Sequence, residues 1–241
     1  MLKTSEDILF MTETKPIIRC EIIKRYKRFL ADVRFADGRL ITVHCPNPGR
    51  MSTCWEPGWP AIISDSENPN RKLRYTLEMT HNGTCWIGIN THKANDLAEE
   101  AIQNGVITEL GEYKHISREI KYGMNSRIDL LLQNPAERCY VEVKNVTLLN
   151  AGNYQFPDAV TVRGLKHLHE LMQVKQTGHR AVMLFVIQRS DGRVFEPARQ
   201  IDPAFASGLM DACTSGVEIL CYRADVQPEK STIVETIPFQ V

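Results

Sequence analysis

The chain has 241 residues, 43% hydrophobic and 24% charged, the balance of a globular protein long enough for one large domain or two small ones. Its 29 basic and 29 acidic side chains cancel, so bulk charge does not announce a polyanionic partner. The longest apolar run, residues 181–187, falls far short of the roughly 20 residues a membrane helix needs. No basic segment followed by an apolar one opens the chain, so neither membrane insertion nor export is expected, and the expected compartment is the cytoplasm. The cysteines (Cys20, Cys45, Cys54, Cys85, Cys139, Cys213 and Cys221) are odd in number and none forms a C-x-x-C pair. That excludes a disulfide framework or a zinc knuckle and predicts reduced thiols, several of them in the core.

Residues 1–85 are expected to form a small all-β domain. A strand is predicted over 17–23. Phe29, Ala31, Val33 and Phe35 then alternate with polar neighbours and place Phe29 in the core, while Asp37-Gly38 supplies a turn, so 28–45 is a hairpin. Pro46-Asn47-Pro48-Gly49 breaks the chain, and strands follow at 60–64 and 72–80. Five short strands in so small a space suggest a closed, OB-fold-like barrel. Charge is uneven here: residues 15–39 hold eight basic side chains against three acidic ones. Lys24, Arg25, Lys27 and Arg28 interleave with Tyr26, a composition suited to phosphates and stacked bases, so these five are candidate DNA-binding residues.

Residues 86–241 change period. A helix is expected over 94–102, strands over 116–122, 127–132 and 139–146, a second helix opened by Asp158 as its N-cap, and a strand over 181–187. A third helix is capped by Asp202 ahead of Pro203, and a final strand covers 217–222. The order is α-β-β-β-α-β followed by α-β.

On an extended strand Glu142 and Lys144 share one face and Val141 and Val143 the other, which leaves the charged face open. A hairpin turn centred between Pro135 and Ala136 sets Asp129 opposite Glu142. Facing carboxylates repel unless a cation lies between them, and Mg²⁺ or Mn²⁺ is the economical choice. Lys144 can then help deprotonate an attacking water. A surface charge ladder is the alternative reading of the same residues. The surrounding element order resembles the PD-(D/E)xK nuclease core, in which an acidic residue of the first helix often completes the metal site. Glu100 is the candidate, with Glu99 its rival and Glu119 a further ligand. Arg163, Lys166 and His167 share a face of the second helix and can hold a phosphate.

Taken together, Lys24-Arg25-Tyr26-Lys27-Arg28-Phe29, His44-Cys45-Pro46-Asn47, Ser126-Arg127-Ile128-Asp129, Val141-Glu142-Val143-Lys144 and Phe156-Pro157-Asp158 with Arg163-Gly164 and Lys166-His167 resemble the bacterial sugar fermentation stimulation protein A family. The resemblance implies an amino-terminal OB-fold, a PD-(D/E)xK-like domain, DNA binding and a regulatory link to sugar (maltose) utilisation. The family has threonine where this chain has Pro48, which stiffens that loop. Two functions stay open on this basis: a metal-dependent nuclease, and a DNA-binding regulator without turnover. RNA as the ligand also remains open, and nothing specifies an oligomeric state.

Overall fold

In the computed structural model, which describes residues 8–12, 15–123 and 126–240, strand β1 (Ile8–Thr12) pairs with the long β2 (Lys15–Tyr26). Strand β2 then pairs on one side with β3 (Leu30–Arg34) and on the other with β5 (Pro60–Asp65). Strand β3 pairs with β4 (Leu40–His44), which meets β6 (Tyr75–His81) in parallel at His44 and Thr76, and β6 returns to β5. The ring β2-β3-β4-β6-β5 therefore closes on itself in the strand order of an OB-fold, leaving these strands no long free edge. Alternate residues fill its interior, among them Ile18, Ile22, Ala31, Val33, Val43, Ile63 and Leu77.

Two details differ from the sequence pattern. Lys27 and Arg28 both adopt left-handed backbone (φ +45° and +65°), so the β2–β3 turn occupies residues 27–29 and β3 begins at Leu30 rather than at 28. Phe29 consequently lies outside the barrel, 41% exposed, rather than in the core. Strand β7 (Trp86–Gly88) pairs with β6, which carries the first sheet past residue 85.

The chain then forms α1 (Lys93–Gln103), β8 (His115–Tyr122), β9 (Ser126–Gln133) and β10 (Arg138–Val146). Short β11 (Leu148–Asn150) and β12 (Asn153–Phe156) precede α2 (Val162–Gln176) and β13 (Arg180–Ile187). Next come β14 (Phe195–Pro197), α3 (Pro203–Thr214), β15 (Glu218–Asp225) and β16 (Thr232–Thr236). The main sheet runs β16-β15-β13-β10-β9-β8, with β10, β13 and β15 parallel. Helix α1 covers one face; α2 and α3 cover the other. Strands β11, β12 and β14 form a separate small sheet, each too short to show a period in sequence.

Helix α2 begins later than Asp158 predicts. Its N-cap is Thr161, whose hydroxyl accepts from the Gly164 amide at 3.0 Å. Asp202 caps α3 as expected, through Phe205 N–H at 2.9 Å, and its second oxygen accepts from Thr161 N–H at 2.8 Å, joining the starts of the two helices. Six of the seven cysteines are buried, Cys213 is exposed, and all are free. No helix among the described residues is long and apolar enough to cross a membrane.

The barrel and the α/β unit share interior. Ile17, Ile62 and Met79 of the barrel belong to the same buried cluster as Leu97 of α1 and Leu130 and Val141 of the sheet. Arg189 stitches the seam. It is fully buried, forks onto Asp191 (2.7 Å through both Nε and Nη2), and reaches the carbonyls of Thr147 (2.7 Å) and Thr53 (3.2 Å). Asn82 of the barrel donates to the same Asp191 at 2.7 Å. Removing one partner of such a network leaves a buried charge alone. Arg189→Ala should therefore lose about 3–5 kcal/mol in urea unfolding, with both halves melting in one transition; a loss below 1 kcal/mol would show the seam to be dispensable.

Candidate active site

The registered pairing of β9 with β10 runs from Gln133–Arg138 to Leu130–Val141 and stops there. One step further the ladder would set Asp129 against Glu142, as the hairpin register predicts. Instead the Asp129 carboxylate takes over the ladder's role: Oδ2 accepts from Val143 N–H at 2.8 Å and Oδ1 from the Asn95 amide of α1 at 3.1 Å. Glu142 Oε1 accepts from Lys144 Nζ at 2.5 Å and is in hydrogen-bond contact with His167 Nδ1 from α2. On the far side of that ring Arg163 Nε donates to His167 Nε2 at 3.3 Å, which places the ring proton on Nδ1, facing the carboxylate.

The charged face of β10 is thus not open. A central parallel strand is covered on both faces, and α2 buries Glu142 to 2% exposure while Lys144 keeps 14% of its side chain in solvent. Burial, then the charge of Glu142, raises the Asp129 carboxyl above its ordinary range. Burial also pushes Glu142 up, but Lys144 and His167 outweigh it and hold that carboxyl low. Among the described residues Glu142 Oε2 has no hydrogen-bond partner, and neither have the Tyr122 hydroxyl or the two Glu170 oxygens, all of them buried. Burial and the charges of Glu142 and Glu170 push the Tyr122 phenol far up.

This donor set suits a hard divalent cation. A buried and a half-buried carboxylate lie close enough for the charge of Glu142 to act on Asp129, and one Glu142 oxygen has no partner among the described residues. Among the described residues no three His, Cys, Asp or Glu form a ready-made cluster, so water or phosphate must complete the shell. Glu119 falls opposite Asp129 on β8, between the pairs Arg118–Leu130 and Ile120–Ile128, and lines the same cleft with a left-handed backbone (φ +54°). Strain of this kind tends to collect at working sites.

The cleft encloses about 420 Å³ between barrel and sheet, with Asp129, Val143 and Lys144 deep in it. Asn47, Pro48 and Gly49 of the barrel form one wall, and Asp158 and Arg163 another. Asp158 is the clasp: its Oδ2 accepts from Met51 N–H at 3.1 Å, and its carboxylate occupies the space a Cβ at Gly49 would need, 2.0 Å away. Sequence reasoning gave Asp158 to a helix cap. No spacing rule connects residues 107 positions apart; the only signal is that both segments carry proline-rich breaks.

The basic run of the barrel is divided. Arg25 donates to the carbonyls of Arg28, Asn47, Gly49 and Arg50 at 2.7–3.2 Å, and Arg28 to that of Pro48 at 2.8 Å, so both hold the cleft loop in place. The Tyr26 hydroxyl is bound to Asp32 and Thr42. Lys24 and Lys27 are exposed. On α2, Arg163 reaches the cleft, Lys166 bonds Ser126 (2.9 Å) and pairs with Glu170 (3.5 Å), and His167 is buried against Glu142. Glu100 is not brought to Asp129. It pairs with Lys230 at 3.1 Å and lines a different cleft, because its turn of α1 faces the barrel and the β15–β16 connection; Asn95, on the preceding part of the helix, meets Asp129 instead. Glu99 is turned to Arg118.

An OB-ordered barrel joined to a mixed sheet that carries Asp and Glu-x-Lys on neighbouring strands defines a restriction-endonuclease-like α/β protein with an OB domain. Residues 92–230 match the family described as the sugar fermentation stimulation protein RE domain, and residues 23–89 the SfsA N-terminal OB domain. The chain belongs to the SfsA family. It is 54% identical over 214 residues to the sugar fermentation stimulation protein homolog of Geotalea uraniireducens, covering 89% of this chain and 93% of the relative. The Geobacter sulfurreducens homolog is 50% identical over 224 residues, 93% and 96% of the two chains. The structure of Pyrococcus furiosus SfsA in complex with Ca²⁺ superposes with a TM-score of 0.86 at 25% identity, over 96% of this chain and all of that one.

Two expectations follow. Gly49→Ala must displace Asp158 and should cost about 1–3 kcal/mol, the scale of overpacking, in urea unfolding. Asp129→Asn keeps an acceptor for Val143 N–H, and Asn95 can turn its amide to match. A carboxyl raised on folding contributes stability below its unfolded pKa and loses it as pH rises through the folded value, so at neutral pH the Asp129 charge opposes folding. The metal-free variant should melt above wild type at pH 7, with the gap shrinking toward pH 4. Equal melting temperatures across that range would contradict the repulsion.

Proposed function

We propose that this protein is a divalent-cation-dependent nuclease that hydrolyses DNA phosphodiesters in the cleft between barrel and sheet. The observation that carries this reading is the pair of carboxylates, half-buried Asp129 and buried Glu142, at the diverging end of β9–β10, with an oxygen of Glu142 that has no hydrogen-bond partner among the described residues and the Lys144 amine beside them. The Ca²⁺ of the Pyrococcus relative supports it, since Ca²⁺, Mg²⁺ and Mn²⁺ all favour oxygen ligands.

Asp129 and Glu142 would hold Mg²⁺ or Mn²⁺. The bound cation would supply positive charge to the phosphate oxygens and acidity to water. Asn95 and Val143 N–H fix the aim of Asp129, and His167, itself held by Arg163, fixes that of Glu142. Lys144 Nζ, at the half-open edge of the pair, orients the attacking water and handles its proton. Arg163, exposed on the cleft wall, contacts the phosphate. Lys24 and Lys27 draw the backbone toward the barrel side, and Lys166 adds charge from behind Ser126.

A second reading, a DNA-binding regulator without turnover that acts on sugar-utilisation genes, is favoured by one feature: Glu142 Oε1 is already held by Lys144 and His167. The experiment is Mg²⁺- or Mn²⁺-dependent cutting of duplex, single-stranded and branched DNA. Lys144→Ala should lower the rate roughly 100- to 10,000-fold, the usual weight of a general acid–base group. Ca²⁺ should raise the melting temperature of wild type and not of Asp129→Asn. If wild type and Lys144→Ala are equally inert on every substrate while binding remains salt-sensitive, the regulator reading replaces the nuclease.

A further inference from the structure

The reacting groups are recessed. Glu142 and Lys144 expose 2% and 14% of their side chains, and Lys144 and Asp129 are approached through a cleft of about 420 Å³. That volume suits one small-molecule-sized group. A duplex is a stiff rod whose major groove alone is about 12 Å wide. The walls do not spread easily either, because the Met51–Asp158 bond and the close approach at Gly49 clasp them together.

Beside the cleft stands an aromatic platform. Phe29 is 41% exposed at the tip of the β2–β3 hairpin, stacked against His44 with ring centroids 6.3 Å apart and 29° between planes. Arg28 lies 5.7 Å from the ring centre and also donates to the Pro48 carbonyl, which ties the platform to the cleft wall. Two consecutive non-glycine residues in left-handed backbone hold Phe29 out, at a cost of about 1–3 kcal/mol each. A side chain presented to water at that cost is a candidate for contact with a ligand. Lys24, Lys27 and Arg28 add exposed positive charge on the same hairpin. Val160 and Val162, 67% and 79% exposed, lie in the chain between Asp158 and Arg163 of the opposite wall.

We infer that the cleft accepts a single DNA strand, with an unpaired base stacked on Phe29 and its phosphate led past Arg163, while the two valines exclude a second strand. Only an unpaired base has a free face to stack, and the basic rim complements the strand's backbone. This names the substrate class of the proposed nuclease and rests on that reading for its chemistry, not for its binding.

The test is fluorescence anisotropy with wild-type protein in EDTA, so that nothing is cut, against a labelled 20-nucleotide DNA strand, the blunt duplex of the same sequence and the matching RNA strand. The DNA strand should bind at least 10-fold tighter than the duplex. Phe29→Ala should weaken strand binding roughly 5- to 100-fold without shifting the melting temperature, and Phe29→Trp should preserve it. Duplex binding as tight as strand binding, tighter binding of RNA, or a Phe29→Ala effect under 2-fold would overturn the inference. Mg²⁺-dependent cutting of duplex that Lys144→Ala abolishes, together with any of those results, would sink this substrate class and leave the nuclease standing. Failure of every nucleic acid to bind would remove both.

Discussion

Two carboxylates that repel each other sit where a strand pair comes apart. Glu142 is buried and Asp129 half-buried, the charge of the first acts on the second, and the fold surrounds both with donors. Asn95 comes from α1, the Val143 amide from β10 itself, Lys144 from one step along the same strand, and His167 from α2. Every layer of the α/β unit therefore contributes to the same pair, the sheet through two contacts and each helix through one. A sheet covered on both faces is what makes this possible, since a half-exposed sheet could bring a helix to only one side of β10.

The barrel is joined to that arrangement rather than tethered to it. Its Ile17, Ile62 and Met79 share a core with α1, so the helix that aims Asp129 is packed from both sides. The 46–51 loop projects across the seam, where Arg25 and Arg28 hold its carbonyls and Asp158 receives Met51. The cleft follows from those bonds: its floor belongs to the sheet and one wall to the barrel, and neither half alone encloses it.

Much of this was legible in sequence because it is local. Strands 116–122, 127–132 and 139–146 announced themselves by alternation, and the Pro135–Ala136 turn fixed the register that brings Asp129 toward Glu142. The Asp202 cap followed from a following proline. What failed was long-range or conformational. Phe29 obeyed the alternation and was turned out by left-handed backbone at Lys27 and Arg28, residues with no preference for it. Asp158 matched a cap pattern, yet Thr161 took that role and Asp158 crossed the seam. Glu100 lay on the right helix but on the wrong turn. His167 had the right helix face and the wrong partner, a carboxylate instead of a phosphate. Composition cannot tell which partner a side chain meets in three dimensions.

Arg25 and Arg28 already direct guanidinium protons to main-chain oxygens, so they act as architecture while still carrying positive charge, Arg28 at the exposed surface and Arg25 half-buried. A charge-neutralising scan of this segment would thus mix two signals. Loss of a phosphate contact and collapse of the Pro48–Arg50 bend would look identical in a gel-shift lane. Lys24 and Lys27, exposed on the same hairpin, are the positions where such a scan reports attraction alone.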